Sequence, residues 1–475
     1  MGIYLNSTMA YTLYEGESKN PYFVDKSQML EELFPLIKMG NQHICITRPR
    51  RFGKSVMANM IAAFFSKGCN AKALFDQLTI SDSPEYETFR NHFSVIHISL
   101  NDIAGTTTSY EQYIGRFQKR LIQDFNSEYP EMELAEESDV NDALVKIYTK
   151  DHSARFIFVL DEWDFIFHKN YVTEQDKEDY LQFLRSLLKD RPYVLLAYMT
   201  GILLIAKYSS GSELNMFVEF TMAKSPAFSD YFGFTQAEVQ MLYGRYIKQC
   251  KNPKIRMEEL QSWYNGYHTA AGERVFNPRS VVLALRYNHL ESYWTSAGPY
   301  DEIYYYIMHN VDDVRADLAL MVSGISVPAK IQEYAATSMH LQTRDEIFSA
   351  MVVYGFLSYE NGKVSIPNQE LMEKFSDMLQ KETSLGYVDF IFYPERDKSA
   401  DGIILELKVD HTPEEAISQI KKKKYELRFF GKVAEKRVYT GRVLVVGIGY
   451  DKKEKKHHCK VEVVTEKETR SGKTK

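Results

Sequence analysis

Three adjacent residues, Gly53, Lys54 and Ser55, carry the most specific chemistry in this chain, at the end of ITRPRRFGKS (Ile46–Ser55). A glycine, a lysine and a hydroxyl in that order suit a phosphate loop. Backbone N–H groups and a helix N-terminus face the phosphates, the lysine reaches the β- and γ-phosphates, and the hydroxyl ligates magnesium. Arg48-Pro49 stand where such a loop has its first glycine, so the turn must be made differently. Arg48, Arg50 and Arg51 border the expected pocket and are read as phosphate contacts; a nucleic-acid patch is the competing reading.

A second group lies far along the chain. FIFVLDE is an apolar strand ending in Asp161-Glu162. Asp161 would support magnesium, mostly through water, and Glu162 would orient or deprotonate the attacking water. Thr200, near the end of YVLLAYMTG, would act as a polar sensor of the γ-phosphate. Each signal has a plain alternative, since Gly-Lys-Ser occurs by chance and an acidic pair at a strand end often caps a helix. Their joint occurrence, in this order, is the argument for a nucleotide site. Its expected residues are Arg50, Arg51, Phe52, Gly53, Lys54, Ser55, Asp161 and Thr200, with Glu162 catalytic and ATP and Mg2+ as cofactors.

A third group is C-terminal. YVDFIFYP carries Asp389, and GIILELKVD carries Glu406 and Lys408, which strand alternation puts on one face. Asp389 joins them if the strands are adjacent. Two carboxylates and a lysine suit metal-dependent phosphodiester cleavage, with Asp389 and Glu406 as metal ligands and Lys408 steadying developing charge. Alternating charge on an exposed edge strand explains the same letters. His457, His458 and Cys459 are adjacent, so their side chains diverge; KKHHCK reads as a solvated tail. Asp164 and His168 read as structural, and Trp263, Tyr264 and Tyr267 as core.

The elements needed to hold these residues are legible. Met29, Leu30, Leu33 and Leu36 have helical spacing. QHICIT (Gln42–Thr47), SVIHISL, RFIFVLDE and YVLLAYMTG are short β-rich runs with helical segments between them, which implies a parallel sheet covered on both faces. Helical patterns follow Val239, and a two-strand hairpin around Asn361-Gly362 beside a helix suggests a winged-helix unit. A strand pattern restarts at Tyr387, and the Lys-rich tail after Asp451 reads as solvated.

Composition narrows the function. Hydrophobic residues make up 44% and charged residues 26% of 475, which fits a globular multi-domain protein. A net charge of −6 argues against a protein that coats nucleic acid non-specifically. Four dispersed cysteines give neither a disulfide framework nor a four-thiolate zinc site. VLLAYMTGILLIA is too short to span a membrane, and no signal-peptide pattern is seen at the N-terminus, so a cytoplasmic protein is expected.

The chain resembles the bacterial and archaeal AAA-ATPase-like proteins that carry a C-terminal PD-(D/E)XK nuclease-type domain. The resemblance rests on YFVDKSQMLEEL, ITRPRRFGKS, FIFVLDEWD, MTGILLIAK, WYNGYHTAAGERVFNPRSV, YGFLSYENGKVSIPNQE and GIILELKVDHTPEEAISQIKKKKY, in the family's order. In that family the loop looks like RPRRFGKS, so Arg48 is a family variant. The resemblance adds Gln419 as an accessory nuclease residue. It implies an α/β P-loop domain over residues 1–235, a helical and winged-helix region over 236–370, a reduced nuclease-like domain over 371–452 and a charged tail over 453–475. Only Gln369 to Tyr387 separate the hairpin from the Asp389 strand, which shortens the nuclease core. Glu370 or Glu373 are then candidates for an acid from its missing helix. The expected function is nucleotide-controlled action on nucleic acid, with homo-oligomerisation open. The alternative is a nucleotide-dependent switch or scaffold whose nuclease domain is inactive.

Overall fold

The computed structural model describes residues 2–135, 138–169, 171–205, 214–223, 225–294, 312–331, 341, 343–381, 390–392, 401–409, 411–422, 442–451 and 456–464. The chain forms two compact units, Met1–Met372 and Glu373–Lys475.

In the larger unit five parallel strands lie in the order β2-β3-β4-β1-β5. They are β1 (Gln42–Thr47), β2 (Ser94–Ser99), β3 (Phe156–Asp161), β4 (Val194–Gly201) and β5 (Val218–Phe220). Four match the expected runs to within a residue at either end; β5 was not among them. β3 and β4 are buried along their whole length, as strands covered on both faces must be. Along β3, Phe156, Phe158 and Leu160 face one apolar core and Ile157 and Val159 the other, the two-residue period of a strand. Apolar cores thus lie on both faces of the parallel sheet, the α/β arrangement expected from the sequence.

Register sets the site. β1 runs beside β4 with Ile46 opposite Thr200, and β2 beside β3 with Ser99 opposite Asp161. All four strands therefore end at one edge, carrying the arginine-rich loop, the acidic pair and Thr200 together. The carboxyl ends of parallel strands are where open α/β sheets bind ligands. Three helices matter beside them: α1 (Met9–Ser18), α2 (Met29–Met39), where Met29, Leu30 and Leu33 are wholly buried, and α3 (Lys54–Phe65), which begins at the loop lysine.

Residues 236–372 pack into the same compact unit. Helix Gln236–Gln249 opens with a capping box between Thr235 and Glu238, and helix Pro278–Tyr287 with Asn277 as its cap. The expected hairpin is present, β9 (Ser358–Glu360) and β10 (Lys363–Ser365), turning on Asn361 and Gly362 with positive φ at both. A third strand, β8 (Val327–Pro328), pairs with β10, and the short strands β6 (Tyr267–His268) and β7 (Arg274–Val275) pair with each other. Tyr264 and Tyr267 are core residues, as expected.

The smaller unit is a four-stranded sheet in the order β11-β12-β13-β14, namely Phe390–Phe392, Gly402–Val409, Val443–Asp451 and Lys456–Val464. β12 and β13 are parallel, and helix Pro413–Lys422 lies between them in sequence. The solvated-tail reading of KKHHCK is corrected here, because Lys456–Val464 pairs antiparallel with β13 along its whole length. Its side chains are largely exposed, so backbone pairing with β13 holds it, and no apolar pattern announces it. Asp389 lies outside the described residues.

Candidate functional site

The loop between β1 and α3 is shaped by two left-handed residues, Arg51 (φ 68°) and Gly53 (φ 91°). Nothing lies within 4 Å of where a Cβ on Gly53 would point, so that glycine is required by its φ, and the space beside it stays open. Lys54 is buried, and its Nζ donates to the carbonyls of Arg48 (2.8 Å) and Pro49 (3.0 Å). The ammonium is thus held by the very residues that replace the first glycine. Burial lowers its pKa, opposed by the carboxylates of Asp164, Glu162 and Asp161.

Arg48 does not face phosphate, which corrects the reading from sequence. Its guanidinium is 2% exposed and donates from Nη1 to the carbonyls of Thr47 (2.8 Å) and Phe220 (2.7 Å). It also lies over the Phe232 ring, 5.0 Å from the centroid. Burial pulls its pKa down to about 10. Arg48 is a strut that ties the end of β1 to β5.

Asp161 is buried at the end of β3 and accepts a short hydrogen bond from the Thr200 hydroxyl on the adjacent β4. Glu162, with φ of 56°, turns the chain at the strand end and is held by Asn101, whose Nδ2 donates to its Oε2 at 2.7 Å. Burial and the neighbouring Asp161 push the Glu162 carboxyl above its ordinary value, against the pull of Lys54 and Asn101. Asp164 is structural, as expected: it accepts from the backbone N–H of Ile202 (2.9 Å) and Leu203 (2.7 Å).

The loop and Glu162 border a cavity of about 880 Å³. That lies within the roughly 300–1,000 Å³ usual for small-molecule sites. Its walls include Arg50 to Ser55 and Glu162 on one side, residues from Tyr14 to Val24 on another, and Arg279 and Arg286 from helix Pro278–Tyr287. Asp161 and Thr200 are bonded to each other and are not in the wall. Lys26 is neutralised by Glu238 at 2.5 Å, whereas Arg50, Arg279 and Arg286 form no salt bridge among the described residues. Cations without carboxylate partners around a phosphate-type loop suit a polyanion. For magnesium, the Ser55 hydroxyl at the cavity and the Asp161 carboxylate at the adjacent strand end are the hard oxygen donors the ion prefers.

Arg279, Arg286 and Asn101 escaped the sequence reading. Asn101 follows β2 by two residues, a position recognisable only once the strand order is known. The two arginines are the second and ninth residues of a distant amphipathic helix, about two turns apart, where an arginine is ordinarily a solvated residue.

In the smaller unit, Glu406 is 4% exposed and accepts a short hydrogen bond from Gln419 Nε2, so these two predicted residues do meet. Lys408 is two residues from Glu406 on the same face of β12 and is half-buried. Among the described residues no group of three or more His, Cys, Asp or Glu could hold a metal ion. Glu370 is not a substitute nuclease acid. It belongs to the larger unit, fully buried, and bonds Ser280 and Trp294.

Residues 14–210 match the family model for AAA-ATPase-like proteins, described as predicted AAA-ATPase. The chain is 26% identical over 290 residues to an uncharacterized protein in the vnfD 5′ region of Azotobacter chroococcum mcd 1, covering 59% of this chain and 52% of that protein. It therefore spans about half the length of the curated relative it matches. Among solved structures it is similar to the Walker-type ATPase paby2304 of Pyrococcus abyssi, with a TM-score of 0.40, 11% identity, and coverage of 74% of this chain and 94% of that one. It is also similar to the ORC2 protein of Aeropyrum pernix in its ADPNP–ADP complexes, with a TM-score of 0.34, 11% identity and the same coverage. Among the described residues no helix is long and apolar enough to cross a membrane.

Proposed function

We propose that the chain binds and hydrolyses ATP in the cavity at the carboxyl edge of the five-stranded sheet. The observation that carries this is the convergence, on one cavity, of the loop Arg50–Ser55 with Glu162, beside the Asp161–Thr200 pair. On phosphate binding Lys54 would exchange its two carbonyl acceptors for phosphate oxygens. Arg50, Arg279 and Arg286 would neutralise charge on the polyphosphate. Glu162, raised by burial and held by Asn101, would orient the attacking water and accept its proton. Ser55 and Asp161 would hold magnesium, which would supply neutralisation of the polyphosphate charge.

The smaller unit supports a second element of the same proposal, metal-dependent cleavage of nucleic acid by Glu406, Lys408 and Asp389 with Gln419 as accessory. The buried Glu406 bonded to Gln419 is the observation in its favour. The alternative is a nucleotide-dependent switch or scaffold in which this unit binds a partner without cutting.

Titration of the full chain with a fluorescent ATP analogue and magnesium, beside Lys54→Ala, tests the first element. We expect at least a hundredfold loss of affinity in the variant; equal affinity would remove the nucleotide site. The same proteins, with Glu406→Ala, are then incubated with labelled DNA and RNA, with and without ATP. Cleavage abolished by Glu406→Ala supports the nuclease. ATP binding with no cleavage of any substrate supports the switch.

A further inference from the structure

The phosphate loop is gripped from outside the sheet. Arg51 Nη1 donates to the Tyr293 carbonyl at 2.8 Å, and Trp294 Nε1 donates to the Arg50 carbonyl at 3.2 Å. Phe52, 1% exposed, meets Tyr267 edge-on at 5.0 Å. Gly355, at φ 84°, lies so close to Pro49 that a Cβ there would come within 2.6 Å of the proline ring. Every residue from 49 to 52 thus has a partner among residues 267–355.

One buried carboxylate lies behind this grip. Glu370 is wholly inaccessible. Its Oε1 accepts the Trp294 backbone N–H at 2.6 Å, and both its oxygens lie near the Ser280 hydroxyl, at 3.1 and 3.0 Å. Ser280 follows Arg279 in the helix that walls the cavity. The Arg51 guanidinium is near enough to favour the ionised carboxylate. The other groups facing it are the backbone N–H of Tyr293 and the phenols of Tyr264 and Tyr293, both pushed up in part by this carboxylate. Glu370 itself is the second residue of the helix Gln369–Lys381.

We infer that Glu370 is a positioning residue for the nucleotide site: by holding Trp294 and Ser280 it fixes the phosphate loop and the arginine-bearing helix as one body. The inference rests on the nucleotide-site reading above. Arg51 cannot hold its place through the loop alone, because its left-handed backbone costs a non-glycine residue energy unless its surroundings impose it. Trp294 and Tyr293 impose it, and Glu370 orders them. Arg279 and Arg286 face the cavity from a helix whose first turn the same carboxylate anchors, so both cationic walls are set by one acid. Desolvation pushes the Glu370 carboxyl up to about 7. Between pH 6 and pH 8 it therefore passes from mostly protonated to mostly ionised, and the ionised form holds the Trp294 N–H and Arg51 more strongly.

Glu370→Gln keeps the shape and an oxygen acceptor for Trp294 while removing the charge. Trp294→Phe keeps the ring against Phe356, 4.9 Å away, while removing the bond to the Arg50 carbonyl. Both variants, their double and the wild type are titrated with a fluorescent ATP analogue and magnesium at pH 6, 7 and 8, and melted without nucleotide. We expect Glu370→Gln to raise Kd about three- to tenfold at pH 8 and less than twofold at pH 6, the loss of a charge-assisted bond only where the charge exists. The double variant should lose less than the product of the single losses, because both act through Trp294. A ratio of variant to wild-type Kd that stays near one at every pH overturns the inference, as does a ratio independent of pH accompanied only by a lower melting temperature, which marks a structural role. Wild type that binds no analogue at all would instead overturn the nucleotide site itself.

Discussion

Two acidic clusters in this protein end short apolar strands, and they differ in what surrounds them. At the end of β3, Asp161 and Glu162 stand beside Thr200, Asn101 and Lys54, each delivered by a different parallel strand or loop to one edge. On β12, Glu406 has Gln419 from the following helix, and Lys408 beside it on the same strand. The first cluster is convergent, drawing on elements from across the unit. The second is local in sequence and so is constrained by less of the fold. What makes a carboxylate at a strand end worth functional attention is the number of independent elements spent on positioning it, more than its own burial.

The strongest way to break the comparison is Glu162→Gln. If Glu162 handles the attacking water, turnover should fall by roughly a hundredfold or more, the scale of a lost general base. ATP binding should persist, because Lys54, Ser55 and the arginines are untouched. A Malachite-green turnover assay beside a binding titration separates the two. Turnover within threefold of wild type would reduce Glu162 to a strand-end turn, and the two clusters would then be equivalent.

Arg48→Gly sharpens the same contrast at the loop. Were the loop a phosphate loop that had lost its first glycine, restoring that glycine should be neutral or favourable. The structure implies the opposite, since the guanidinium bonds the Thr47 carbonyl at the end of β1 and the Phe220 carbonyl on β5 and lies over the Phe232 ring. We expect a loss of about 1–3 kcal/mol in urea denaturation, the usual range for unsatisfied buried carbonyls. A variant at least as stable as wild type would mean that the strut has no role.

Much of this was legible from sequence and some could not have been. The four expected strands were readable because central parallel strands are continuous apolar runs, and the hairpin because Asn361-Gly362 is a turn signal. β5 was not, being three residues long with Val218 exposed. β14 was hidden because an edge strand held by backbone pairing needs no apolar pattern, so its lysines and histidines look like a tail. Gly53, Lys54 and Ser55 declared themselves by local spacing. The grip on the loop did not, because Trp294 and Glu370 are separated from Arg50 and from each other by long stretches of chain, and nothing local marks a contact between them. Arg48 misled for a related reason: an arginine beside a phosphate loop looks like a ligand until β5 is known to offer it a carbonyl.

The smallest effect tests how finely the convergent cluster is tuned. Asn101 donates to Glu162 and so favours its ionised form, while burial and Asp161 disfavour it. Removing that donor in Asn101→Ala should raise the Glu162 pKa further. Glu162 acts as base only when ionised, so turnover rises with pH through its pKa. The rising limb of the turnover profile should therefore move to higher pH in the variant, with a modest loss that is largest on the acidic side of that limb and shrinks as pH increases. A loss of the same size at every pH would mean that Asn101 serves to place the carboxylate and leaves its protonation unchanged. The pH dependence separates these two roles, whereas a single rate at pH 7 would assign the same number to both.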